Sequence, residues 1–192
     1  MANTDRVNGF RLYGKYNDNM IVPCYKAAGT TVTNDMFVGD CVIMAGSADA
    51  ATGNPSVTVA TAGDGNAIYG VVTQVDVQPS NLERAAWIDG ADAGTVKVCI
   101  DPHATYIAQA DEALAVTSVG LNVNMVQTAA GSRVTGASGQ EVDATTATTN
   151  TFQFKFIGFP NRADNEINAT NNKVLVILNQ SQLVADTGAA GL

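Results

Sequence analysis

A chain of 192 residues that is 46% hydrophobic and only 15% charged has enough apolar material for a packed core and too little charge for a disordered chain or for long solvated helices. Its net charge of −8, with ten Lys and Arg scattered singly, argues against nucleic-acid binding, which needs clustered cations. No apolar run is long enough to span a membrane. Residues 1–8 lack the apolar core of a secretory signal, so the chain is expected to be made and used in a cytoplasm.

Residues 1–18 read as an extended N-terminal arm with bend signals at Asn8-Gly9 and Tyr13-Gly14. Phe10, Arg11, Leu12 and Tyr13 are its candidate partner contacts. Their apolar members either dock on a neighbouring subunit or pack on their own domain. Met20–Tyr25 is β-prone, and Pro23 marks it as an edge strand open to pairing with a partner. Phe37–Met44 holds a turn between two apolar runs. Pro55–Thr61 alternates Val57 and Val59 with Thr58 and Ala60.

Across Ile68–Val77, Tyr69, Val71, Thr73, Val75 and Val77 share one face, the period of a half-buried strand. Thr95–Ile100 places Val96, Val98 and Ile100 on one side, and Thr151–Phe159 aligns Phe152, Phe154 and Phe156. Lys173–Leu178 is apolar on both faces, as in a strand covered on both sides. Thr128–Asn150, rich in Thr, Ser and Gly, reads as a long mobile or partner-facing loop. Helical signals are confined to Pro79–Trp87, with Ser80 as N-cap and Glu83 three residues on, and to a turn at Asp111–Val116.

The sum is a mainly β fold: a small β-barrel or sandwich with a Thr/Gly-rich second lobe, an extended N-terminal arm and few short helices. The expected organisation is an arm over 1–18, a domain over 19–184 with lobes of about 19–103 and 104–184, and a flexible tail over 185–192.

Chemistry-bearing patterns are sparse. The single histidine, His103, follows Asp101-Pro102, and Ser118 or Ser138 would have to complete a triad, but no nucleophile elbow is present. Asp164 and Glu166 offer oxygen ligands at a spacing unlike a calcium loop and read better as a polar hairpin. Gly63, Gly65, Gly131, Gly136 and Gly139 are turn glycines, since no phosphate-binding fingerprint surrounds them. Cys24, Cys41 and Cys99 are odd in number and far apart, and read as buried thiols. No catalytic, cofactor-binding or metal-binding residue is assigned.

Several local patterns together resemble the head decoration, or capsid cement, proteins of tailed bacteriophages. They are Met1-Ala2-Asn3-Thr4-Asp5-Arg6 with Asn8-Gly9-Phe10-Arg11, then Phe37-Val38-Gly39-Asp40, then Val96-Lys97-Val98-Cys99-Ile100-Asp101-Pro102 running on to Tyr106-Ile107-Ala108-Gln109. Gly120-Leu121-Asn122-Val123-Asn124, Ser138-Gly139-Gln140-Glu141-Val142-Asp143 and Val174-Leu175-Val176-Ile177-Leu178-Asn179 complete the set. The resemblance implies a non-enzymatic structural protein bound in many copies to the outside of an icosahedral shell. Its implied partners are the major capsid protein and copies of itself in a homo-oligomer, dimer or trimer, and its implied place is the virion exterior. The alternatives are another virion component, such as a head fibre, tail or baseplate part, and a carbohydrate-binding or adhesin-like β-module, for which the chain offers one Trp, Trp87, in a short helical or turn context.

Overall fold

The computed structural model describes residues 3–14, 16–29, 35–77, 82–84 and 86–184. The expected N-cap Ser80 and the tail 185–192 lie outside the described residues. The fold is mainly β, and among the described residues the helical content is three single 3-10 turns, Asp18–Met20, Leu82–Arg84 and Val116–Ser118. The turn expected at Asp111–Val116 thus starts only at its last residue.

The first half forms a closed barrel. Its strands are β2 (Ile21–Lys26), β4 (Cys41–Ala48), β5 (Pro55–Val59), β6 (Gly70–Val75) and β8 (Gly94–Cys99), in the order β2-β5-β4-β6-β8. Valine alternation builds it, because β-branched side chains fit a pleated, half-buried surface. Cys24, Val42, Val57, Val72, Val96 and Val98 meet in one buried cluster fed by all five strands. A two-stranded ribbon of β3 (Met36–Phe37) and β7 (Trp87–Ile88) adds Met36 and Ile88 to that cluster.

The second half is a six-stranded sheet of β1 (Arg11–Leu12), β9 (Thr105–Gln109), β10 (Asn122–Gln127), β11 (Gln140–Ala147), β12 (Phe154–Gly158) and β13 (Lys173–Leu178), in the order β1-β9-β13-β12-β10-β11. One edge curls back: Val142 of β11 bridges Ala110, and the Asp111 N–H donates to the Val142 carbonyl at 3.0 Å. The other edge is β1. The larger buried cluster unites Phe10, Tyr106, Phe154, Phe156, Val174 and Val176 of this half with Cys41, Ile68, Val71 and Cys99 of the barrel half. The two halves therefore share a core.

Four strand readings change. Alternation along Ile68–Val77 breaks at a bulge between Val72 and Gln74, which shifts the inward face by one residue. Val72 and Val75 then point into the barrel while Val71 faces the shared core. Met20–Tyr25 is not an exposed edge: β2 pairs β8 from Ile21 to Lys26, and β5 on its other side. Pro23 is tolerated because pairing to β5 is limited to Tyr25↔Ser56. Thr128–Asn150 is not one loop, since β11 occupies Gln140–Ala147. Finally, β13 buries Val174, Val176 and Leu178 but leaves Leu175 and Ile177 half-buried on its outer face.

Candidate partner-binding groove

The N-terminal segment is bound along the second sheet. The Asn3 side chain donates to the backbone carbonyls of Glu166 (2.9 Å) and Thr170 (3.2 Å) and accepts from the Glu166 N–H (2.7 Å). Gln109 Nε2 donates to Asp5 at 3.2 Å. The Phe10 ring, 1% exposed, stacks on Phe154 with centroids 4.7 Å apart and planes at 11°. Phe10 is therefore a core residue and not available to a partner. Burying a phenylalanine side chain stabilises by roughly 1.5–3 kcal/mol, so the ring stays with its own domain.

Alternation in β1 then separates the four candidate contacts. Leu12 packs inward against the shared core, while Tyr13 remains exposed. Arg11 pairs Ile107, which pairs Leu175, and Gln109 pairs Lys173. Residues two apart lie on one face, so Arg11, Ile107, Gln109, Leu175 and Lys173 share the outward face of β1, β9 and β13.

Over that face lies a groove of about 430 Å³. Arg6, Val7 and Asn8 line one part, Arg162 and Asp164 another, and Ile107, Ala108 and Gln109 belong to β9 beneath. Four of the chain's ten basic residues, Arg6, Arg11, Arg162 and Lys173, converge here with a single lining carboxylate, Asp164. Asp164 is bonded by Arg162 (2.9 and 3.2 Å) and by the Lys173 ammonium. Those bonds hold its carboxyl well below the usual carboxylate range. Burial lowers the Arg11 pKa, an effect opposed by the nearby Asp40 carboxylate. The Arg11 Nε donates to the Asn8 carbonyl at 2.8 Å, and among the described residues no ion pair involves Arg6 or Arg11.

Among the described residues no strand pairs β1 on the side away from β9, although on that side the Phe10 N–H is held by the Gly39 carbonyl at 3.0 Å. The Tyr13 N–H donates to the Thr105 carbonyl at 2.8 Å, two residues along from the Arg11↔Ile107 pair. In an antiparallel ladder the intervening residue turns its polar groups the other way. The Leu12 N–H and C=O thus point away from β9.

Beneath the N-terminal segment the two halves meet at Asp40. The Phe37 N–H donates to its Oδ2 at 2.8 Å. Desolvation pushes the Asp40 carboxyl up to about 7, opposed by hydrogen bonds from Ser138 and Phe37. Gly9 crosses here with φ +64°, and a Cβ on it would sit 2.5 Å from the Ser138 Cβ and 2.8 Å from the Gly39 carbonyl oxygen.

The other sequence candidates are engaged elsewhere. Asp101 accepts the backbone N–H groups of His103 (2.9 Å) and Asn17 (2.9 Å), so it caps a turn and does not orient the imidazole through those bonds. Ser138 is buried beside Asp40, and Ser118 closes a 3-10 turn. The Glu166 N–H is held by Asn3, and Asp164 is committed to Arg162 and Lys173. Trp87 is buried, stacked on Phe37 at 5.8 Å and flanked by Arg84 and Arg133 at 5.3 and 4.8 Å, which leaves no open ring face for a sugar. All three cysteines are free and buried; burial pushes the Cys24 thiol up to about 11 and Cys41 well above its ordinary value, so thiolate is scarce at those two at neutral pH. Gly63 and Gly65 take positive φ in a turn, as read from the sequence.

Among the described residues no helix is long and apolar enough to cross a membrane. The chain matches no protein-family model, no curated protein and no solved structure.

Arg6, Arg162 and Lys173 were not legible as partners of Arg11. Each stands alone in sequence, and only the sheet order β1-β9-β13 brings them together.

Proposed function

We propose that this protein is a structural virion component that binds the outer surface of an assembled phage capsid and stabilises contacts between major capsid subunits. The observation that carries the assembly reading is the outward face of β1, with the Leu12 backbone groups turned away from β9 and a cationic groove beside it. Such an edge accepts an added strand, and backbone pairing plus neighbouring side chains is a recurrent mode of subunit attachment. The likeness of several sequence pieces to decoration proteins supplies the class of partner.

Function follows by linkage. A protein that binds only the assembled shell stabilises that shell by mass action. An oligomer touching several capsid subunits raises the effective concentration of each further contact, so modest single contacts give strong attachment.

The test is direct. Purified protein is mixed with emptied, expanded capsids, and decorated and stripped heads are heated while DNA release is followed. Co-sedimentation with capsids and a higher release temperature for decorated heads are expected. Release at the same temperature overturns the cement role, and binding to tails or baseplates but not heads assigns the protein to another part of the virion.

A further inference from the structure

We propose that the groove beside β1 takes an acidic, extended segment of the partner protein, with carboxylates seated among Arg6, Arg11 and Arg162 and the segment's backbone pairing with Leu12. The inference rests on the assembly reading and names the chemistry of the partner surface.

Charge distribution is the first argument. The chain carries −8 overall, yet the groove lining has four cations against one carboxylate. A field of opposite sign to the rest of the molecule selects a short anionic group and orients its approach. A long polyanion such as duplex DNA would run beyond the groove onto the acidic remainder of the surface. A short peptide with carboxylates on one face meets the four cations, with Asp164 already paired among them and Asp5 held by Gln109 at the margin.

Geometry is the second argument. Arg11 and Tyr13 point outward from β1 while the Leu12 N–H and C=O point away from β9, where among the described residues no strand pairs them. A strand laid there projects alternate side chains to the same outward face as Arg11, the face over which Arg6 and Arg162 line the groove. Arginine binds carboxylate through two parallel N–H donors, a geometry a lysine point charge does not reproduce.

The third argument concerns what must be displaced. Arg162 and Lys173 are already paired with Asp164, but Arg162 and Asp164 are both about half exposed, at 47% and 53% of the side chain. Exposed pairs contribute little to stability. An incoming carboxylate therefore shares Arg162 at small cost. Arg6 and Arg11 enter no ion pair among the described residues that a ligand would have to break.

The experiment uses the full chain and a fluorescent peptide of alternating Glu and Val, about six residues long as befits a strand, followed by anisotropy. Its Lys-Val counterpart, inorganic phosphate and a Glu-Val peptide N-methylated on alternate amides are the controls. Saturable binding of the Glu-Val peptide is expected, weakening as salt rises from about 50 to 300 mM. The Lys-Val peptide should not bind, and N-methylation should weaken binding. The double charge reversal R6E/R162E, at two exposed positions, should weaken affinity about tenfold or more with an unchanged melting temperature. Equal binding by the two peptides, or by R6E/R162E and the parent, overturns the inference. So does competition by phosphate as strong as by peptide, which would make the groove a small-anion site. Capsid binding separates this failure from that of the parent reading. If capsids bind the parent and R6E/R162E alike, the groove is wrong and the decoration role stands. If the peptide binds as described but capsids do not, the groove stands and the decoration role falls.

Discussion

The barrel and the six-stranded sheet solve the same problem differently. The barrel closes on itself, pairs all its strands around a ring and fills its interior with small aliphatic residues such as Val42, Val57, Val72 and Val98. The sheet is held by large aromatic residues, Phe10, Tyr106, Phe154 and Phe156, and keeps β1 as an edge. Closure removes the backbone groups through which chains associate. The open half is therefore where an interaction surface can form, and its edge strand comes from the N-terminal segment, which the aromatic core anchors. One ring, Phe10, links attachment of the segment to stability of the fold.

Truncating the anchor gives the largest expected effect. Phe10→Ala should cost about 3–5 kcal/mol, against about 2 kcal/mol for Val57→Ala in the barrel. Thermal melts should show a drop of roughly 10 °C for Phe10→Ala. A free docking arm would instead leave the melting temperature unchanged, and an equal effect of the two substitutions would erase the distinction between the halves.

Next comes the seam, where Asp40 is buried between the halves. Its carboxyl is raised from an ordinary 3.8 to about 7. Between those values the folded chain holds a proton that the unfolded chain has released. The stability from this group is fully present below 3.8 and is lost as pH rises through about 7. A shift of that size corresponds to roughly 4 kcal/mol. Asp40→Asn should remove most of this slope, measured as the difference in unfolding free energy between pH 5 and pH 8. A slope identical to the parent's would place the titration elsewhere.

The smallest effect distinguishes the two ends of the N-terminal strand. Gly9 and Gly14 both have positive φ, but a Cβ on Gly14 meets nothing within 4 Å whereas one on Gly9 strikes Ser138. Gly14→Ala should cost about 1 kcal/mol from backbone strain alone, and Gly9→Ala about 2–3 kcal/mol from strain plus displacement of its neighbours. Chemical denaturation of both variants checks the order. Equal costs would mean that the crossing over Gly39 and Ser138 yields easily.

Much of the fold was legible because alternation is a local property. The runs around Val57, Val71, Val96 and Phe154 each declare a strand with an inward face. β11 was hidden because its inward row mixes Val142 and Ala144 with the polar Gln140 and Thr146, so a strand stabilised by its neighbours looks like a loop. The bulge at Val72 was hidden because a register shift is set by the partner strand β8 and not by the residues themselves. Of the candidate contacts, Arg11 and Tyr13 lie where a partner can reach them, and Phe10 does not, since its ring met Phe154 far along the chain.

By itself the sequence determined a mainly β chain, the inward rows of most strands and the buried state of its cysteines, because each follows from period, composition or the absence of a local pair. Tertiary structure alone decided that β2 is enclosed, that the halves share a core and that the N-terminal segment is sewn onto the second sheet. It also decided the groove. Arg6, Arg11, Arg162 and Lys173 are neighbours only because β9 lies between β1 and β13, and strand order is a property of packing that no local pattern encodes.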